Sequence, residues 1–164
     1  MNNSYPFKYF YELLAIFVLL IILDQATKIL IAKIMFNNKF ESIEILPFLN
    51  LTFVRNTGIS FGLFSDGGLL NRYFFSALSM IIGTMLLIIA LLNKDRFIQI
   101  SLLFISGGAV GNAIDRIYFG GVIDFIDFFL YNLHWPAFNL ADIFITFGVI
   151  LLLFENVFRK FKNG

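Results

Sequence analysis

Long apolar runs, interrupted at intervals by short polar stretches, set the pattern of this chain. Four windows, near Leu13–Ile34, Tyr73–Leu92, Ile98–Ile117 and Asn139–Phe158, are mostly apolar. Each provides the roughly 20 residues that a helix rising about 1.5 Å per residue needs to cross some 30 Å of hydrocarbon. They predict four membrane-spanning helices. Irregular sequence collects in Asn37–Leu70 and Gly120–Ala137. In the first of these, Ser42–Leu46 and Phe48–Val54 partly alternate polar and apolar residues, are rich in β-formers and are separated by Pro47, which predicts a small β element resting on the membrane surface. The Leu13–Leu23 run has the length of a signal-peptide core. No small-residue cleavage site follows it, however, and the apolar pattern resumes at Ile29–Ile34, so it reads as a retained helix. With no repeat, low-complexity tract or flexible linker, residues 1–164 read as one integral membrane domain.

Charge placement orients the spans. An even number of crossings puts both termini on one side. Lys94 and Arg96 in a very short loop, with Arg159, Lys160 and Lys162 in the tail, make that side cytoplasmic by the positive-inside rule. Lys33, Lys39, Arg55 and Arg116 fall on the other side, in longer segments where the rule weakens. The two irregular stretches are then external, and the expected fold is a membrane all-α protein of four helices with a small external β element.

Composition narrows the chemistry. The chain is 59% hydrophobic and only 14% charged, too few polar groups to cover a water-facing surface, so most of its outside must meet lipid. A net charge of +1 provides no basic field for nucleic acid. Without cysteine there is no disulfide, Cys-ligated zinc, thiol nucleophile or lipid-bearing cysteine. The single His134 cannot build a multi-histidine metal site and reads as a structural or surface residue.

The few polar residues in or near the spans are therefore informative, because a charge there costs roughly 2.5–3.5 kcal/mol on insertion scales. Asp24 and Lys28 are four apart on one helix face and can neutralise each other, either as a structural ion pair or in support of a site. The stretch from Arg55 through Asn56, Thr57 and Gly58 to Gly62 breaks the strand pattern. Its glycines permit close backbone approach, and Asn56 can both donate to and accept from a peptide. Small residues from Gly107 to Gly111 suit tight helix packing and lead into Asn112, Asp115 and Arg116. Adjacent on a helix, Asp115 and Arg116 point in different directions, so each needs its own partner, and the group by itself reads first as a structural network.

Two more aspartates, Asp124 and Asp142, are each flanked by apolar residues and have no nearby cation in sequence. Pro136 ahead of Asn139 suits the start of the fourth helix and puts Asp142 in its first turn, where the helix dipole alone could explain it. If Asp124 returns to that helix end, two carboxylates meet at the edge of a low-dielectric phase and repulsion makes one hold a proton. Such a pair supplies an acid and a base that titrate as a unit and could activate a water against a peptide carbonyl. Asp127, three residues beyond Asp124, is a rival for the pairing. A metal held by these aspartates is disfavoured without histidines or a denser carboxylate cluster.

The order of these motifs resembles that of lipoprotein signal peptidase, the bacterial signal peptidase II family, over nearly the whole chain. The matching elements are Asp24-Gln25-Ala26-Thr27-Lys28, Arg55-Asn56-Thr57-Gly58, Gly111-Asn112-Ala113-Ile114-Asp115-Arg116, Val122-Ile123-Asp124-Phe125 and Pro136-Ala137-Phe138-Asn139-Leu140-Ala141-Asp142. Ile59 and Ser60 depart from the small alanines common after the Asn-x-Gly element, which bears on pocket shape. The resemblance implies an aspartic endopeptidase with Asp124 and Asp142 catalytic. Asn56, Gly58, Asn112, Arg116 and Asn139 would line or support the site, with Asp24, Lys28 and Asp115 in supporting roles. It further implies an external β-cradle and no cofactor. The substrate would be a diacylglyceryl-modified prolipoprotein, cut N-terminal to its lipidated cysteine at the outer face of the bacterial inner membrane. Membrane lipids would be further partners, and cyclic-peptide antibiotics such as globomycin would inhibit by mimicking the substrate. The competing class is a small transporter or proton-conducting subunit using intramembrane aspartates, against which the lack of an inverted repeat counts.

Overall fold

Four helices and a small sheet follow the predicted order in the computed structural model, which describes residues 7–57 and 68–163. The first helix, α1 (Phe7–Asn37), leads into strands β1 (Ile43–Leu46) and β2 (Leu49–Asn56); α2 (Gly68–Leu92) and α3 (Arg96–Phe119) come next. Strands β3 (Val122–Leu130) and β4 (Leu133–His134) then precede α4 (Leu140–Asn163). Over the described residues, three stretches are long and apolar enough to cross a membrane: Tyr9–Asn37, Arg72–Leu92 and Arg96–Phe119. Large apolar side chains such as Ile29, Leu70, Phe74, Ile81 and Leu153 stand exposed along the helices. In water this would be a liability, whereas against lipid it needs no covering.

The central element is α3. It is 67% buried over its apolar window, against 17% for α1 and for α2, and the other three helices all pack on it. Small residues make this possible. A Cβ on Gly83 would meet Val110 Cγ2 at 2.7 Å, and one on Gly107 would meet Leu20 Cβ at 2.9 Å. One on Gly108 would lie 2.4 Å from the Ala141 carbonyl oxygen. These contacts bring α1, α2 and α4 against the central helix, as small-residue interfaces do in membranes. Asp95 caps the start of α3 by accepting from the Phe97 and Ile98 amides. At the far end Gly120 adopts φ 74°, the left-handed stop that glycine accepts without strain. Arg72 on α2 reaches across to the exposed carbonyls there, Nε donating to Arg116 O at 2.8 Å and Nη2 to Ile117 O.

The sheet is antiparallel in the order β1-β2-β3-β4. The Pro47 turn joins β1 to β2 as the alternation predicts. The second hairpin was not anticipated: β3 pairs along β2 from Leu49↔Phe128 to Asn56↔Val122, so Asp124 sits on a strand. Its run Val122–Leu130 is almost continuously apolar and buried at its start, which hides a strand's period of two. Because β1–β2 links α1 to α2 and β3–β4 links α3 to α4, the whole sheet lies at one end of the helices. The loop with Lys94 lies at the other.

Candidate active site

The site is assembled where the end of α3, the start of α4 and strands β2 and β3 meet. Asn139 caps α4: its side-chain oxygen accepts from the Asp142 amide at 3.1 Å, while the Asp142 carboxylate accepts from the Asn139 amide at 3.2 Å. This reciprocal pairing satisfies two otherwise orphaned helix-start donors and fixes the Asp142 side chain. The same Asn139 donates through Nδ2 to Asp124 Oδ1 at 2.6 Å. One buried asparagine is thus bonded to both aspartates, and both line one cavity of about 820 Å³.

Each carboxylate has a further donor. Asn56 Nδ2, at the end of β2, donates to Asp124 Oδ2 at 3.1 Å, and Asn112 Nδ2 on α3 donates to Asp142 Oδ1 at 2.9 Å. Asp124 is almost fully buried. Burial pushes its carboxyl up to about 6 and the charge of Asp142 pushes the same way, while the hydrogen bonds from Asn56 and Asn139 hold it down. Two carboxyls in one field, one of them resisting ionisation, form a pair in which a single proton can be shared.

Beneath the pair lies a second, drier layer. Asp24, Lys28 and Asp115 are all essentially inaccessible. Lys28 Nζ lies 2.8 Å from Asp24 Oδ2, 2.8 Å from Asp115 Oδ2 and 3.0 Å from Asn112 Oδ1, so its buried charge is paired with two carboxylates and hydrogen-bonded to an amide. Further donors reach both carboxylates. Ala141 N, at the positive end of α4, bonds Asp24 Oδ1 at 3.0 Å; Ile123 N bonds Asp115 Oδ2 at 3.1 Å; Gln25 bonds both acids. The sequence paired Asp24 with Lys28 but could not show that Asp115 completes a triad linking α1, α3, β3 and α4. It left Asp115 needing a partner, and Lys28 is that partner.

Arg116 lines the cavity in the field of Asp124, Asp142 and Asp115. Its Nη1 donates to Asn112 O at 3.3 Å, and its buried Nε finds no hydrogen-bond partner among the described residues. Gly58, Ile59 and Ser60 lie outside the described residues. Asp127, the rival to Asp124, turns elsewhere: it bonds His134 Nδ1 at 2.9 Å and Asn50 Nδ2 at 3.1 Å. His134 is accordingly a half-exposed sheet residue. Sequence reasoning missed Gln25 and Arg72 as organising groups, as well as Phe75, Ser79 and Thr146 as cavity walls. Isolated polar residues on otherwise apolar helix faces were the available signal for the two hydroxyl-bearing residues.

Known proteins resemble this chain in sequence and in fold. A sequence profile of the family described as Signal peptidase (SPase) II matches residues 16–158. The lipoprotein signal peptidase of Serratia marcescens is 40% identical over 153 residues, covering 93% of this chain and 89% of that protein. That of Burkholderia thailandensis is 42% identical over 149 residues, covering 89% and 87%. Two solved bacterial membrane enzymes, determined by the in meso method, superpose on the chain. The one at 2.3 Å resolution gives a TM-score of 0.74 at 35% identity over 89% of this chain and 87% of its own. The one at 1.9 Å gives 0.72 at 36% identity over 88% and 91%.

Proposed function

The chain belongs to the signal peptidase II family, and from that premise we propose that Asp124 and Asp142 are the dyad with which it removes signal peptides from diacylglyceryl-modified prolipoproteins, cutting N-terminal to the lipidated cysteine. The single observation that carries the assignment is Asn139, bonded to both of the carboxylates that line one cavity. A water between the acids attacks the scissile carbonyl carbon, giving its proton to the ionised Asp142. Asp124, the acid of the pair in this reading, donates to the carbonyl oxygen. The resulting gem-diol collapses as the C–N bond breaks, the amine takes the proton held by Asp142, and a diol proton returns to Asp124. Arg116 and Asn112 hold the charges around the pair, and Asn56 and Asn139 keep Asp124 oriented. The chemistry needs no cofactor.

Four membrane spans, α4 being the fourth, best suit this reading, with 1–164 acting as one domain in the bacterial inner membrane and both termini cytoplasmic. Exposed Tyr131, Leu133 and Trp135 at the sheet tip support a β-cradle seated on the outer membrane surface, where aromatic rings favour the interface. Globomycin-type cyclic peptides would compete for the same cavity, and bilayer lipids would flank it.

Purified protein given a lipidated prolipoprotein tests the assignment. Asp124→Asn and Asp142→Asn keep size but remove proton exchange, and each should lower turnover by at least about a thousandfold; chelator should leave the wild-type rate unchanged. Full cleavage by either variant excludes the dyad.

A further inference from the structure

The cavity does not end at the aspartates. Both α2 and α4 pack on α3, and the cavity continues between them, with Phe75 and Ser79 on the α2 wall and Ile143, Thr146 and Ile150 on the α4 wall. Residues four apart stack on one helix face, so Thr146 lies about 6 Å below Asp142 along α4 and Ile150 about as far again. On α2, Phe75 and Ser79 follow the same spacing. Moving away from the dyad, the α4 wall therefore presents a carboxylate, then a hydroxyl, then hydrocarbon, and the α2 wall adds the Ser79 hydroxyl one turn beyond Phe75.

Serine and threonine in membrane helices ordinarily turn back to a carbonyl of the preceding turn. Ser76 does so to Arg72 O at 2.6 Å, and Ser101 to Phe97 O at 2.8 Å. The hydroxyls of Ser79 and Thr146 make no hydrogen bond among the described residues. A donor facing an apolar cleft without a partner is costly, and the ligand that relieves this cost must bring acceptors. Peptide backbone would bring donors as well. A diacylglyceryl group brings only ester oxygens, a few single bonds from the scissile peptide, with two acyl chains beyond them. Its order of chemistry matches the order of the walls.

Resting on the peptidase reading above, we propose that Ser79 and Thr146 form an ester-recognition layer below the aspartates, donating hydrogen bonds to the ester carbonyl oxygens of the substrate's diacylglyceryl group while its acyl chains run between α2 and α4. The two side chains are specificity-determining and take no part in the proton transfers.

The test uses one lipopeptide in two forms, carrying either a diacylglyceryl ester or the corresponding dialkylglyceryl ether, which keeps the chains but lacks the carbonyl acceptors. The full chain in micelles is assayed as wild type, Ser79→Ala and Thr146→Val. Each variant should raise KM for the ester about fivefold with kcat unchanged, the effect of one neutral hydrogen bond, and should leave KM for the ether as in wild type. Turnover of the ether form shows that the variants fold. Equal losses on both lipids, or no change on the ester, would overturn the inference. If wild type cleaves neither lipid, it is the peptidase reading that fails.

Discussion

At the residue scale, the site depends on the direction in which its amides point. Asn112 Oδ1 accepts from Lys28 Nζ at 3.0 Å and from Asn139 Nδ2 at 3.2 Å, which leaves its Nδ2 to donate to Asp142. The buried lysine therefore acts on the dyad through Asn112, without touching it. Removing one member of a buried ion network leaves unpaired charge and costs about 3–5 kcal/mol, so Lys28→Met should strongly lower thermal stability in detergent; an unchanged melting temperature would refute the triad. Asp124 permits a pH argument. Its carboxyl titrates near 6, so the singly protonated pair is depleted as pH rises past that value. Asn56 donates to the ionised form and holds the pKa down; without that bond the pKa rises. Asn56→Ala should therefore move the alkaline limb of the kcat/KM profile to higher pH by up to about one unit, and a shift to lower pH would contradict the assigned hydrogen bond. The sequence exposed the polar residues because apolar surroundings made them conspicuous. Their partners were a different matter, since Asp115 meets Lys28, and Asn139 meets Asp124, only through the fold.

At the scale of elements, the apolar windows anticipated all four helices, three of which, α1 to α3, are long and apolar enough over the described residues to cross a membrane. The structured ends run further, as in α1 from Phe7 to Asn37, because termini that leave the hydrocarbon no longer need apolar residues. Strand β3 escaped notice for the opposite reason: covered on both faces at its start, it lost the alternation that marked β1 and β2. The pairing of α3 with α4 carries its own prediction. Gly108 sits where a Cβ would lie 2.4 Å from the Ala141 carbonyl oxygen, and backbone at a helix start cannot yield without moving Asn139 and Asp142. Gly108→Ala should cost about 1–3 kcal/mol and, by shifting the dyad, lower kcat at least tenfold. The same substitution at Gly83 meets the tip of Val110, a side chain, at 2.7 Å, and should be milder in activity. Equal activity losses at the two glycines would show that α3–α4 spacing does not set the site.

At the scale of the whole molecule, the sheet, the aspartates and the starts of α2 and α4 share one end, and the short Asn93–Asp95 loop with Lys94 occupies the other. A substrate whose signal helix spans the membrane presents its scissile bond at a surface, so only one of these ends can meet it. On the orientation proposed above, positive charge retained on the cytoplasmic side puts the Lys94 loop inward and the sheet outward. The absence of native cysteine makes this directly measurable with single substitutions at exposed positions, Asn132→Cys in the β3–β4 turn and Lys94→Cys in the α2–α3 loop. In intact cells a membrane-impermeant maleimide should label position 132 and reach position 94 only after permeabilisation. The reverse pattern would face the dyad toward the cytoplasm. Cleavage would then have to occur at the end of the signal peptide that bears its positive charges, far from the lipidated cysteine, and the geometry that joins Asp124 to Asp142 would lie on the wrong side of the bilayer for its substrate.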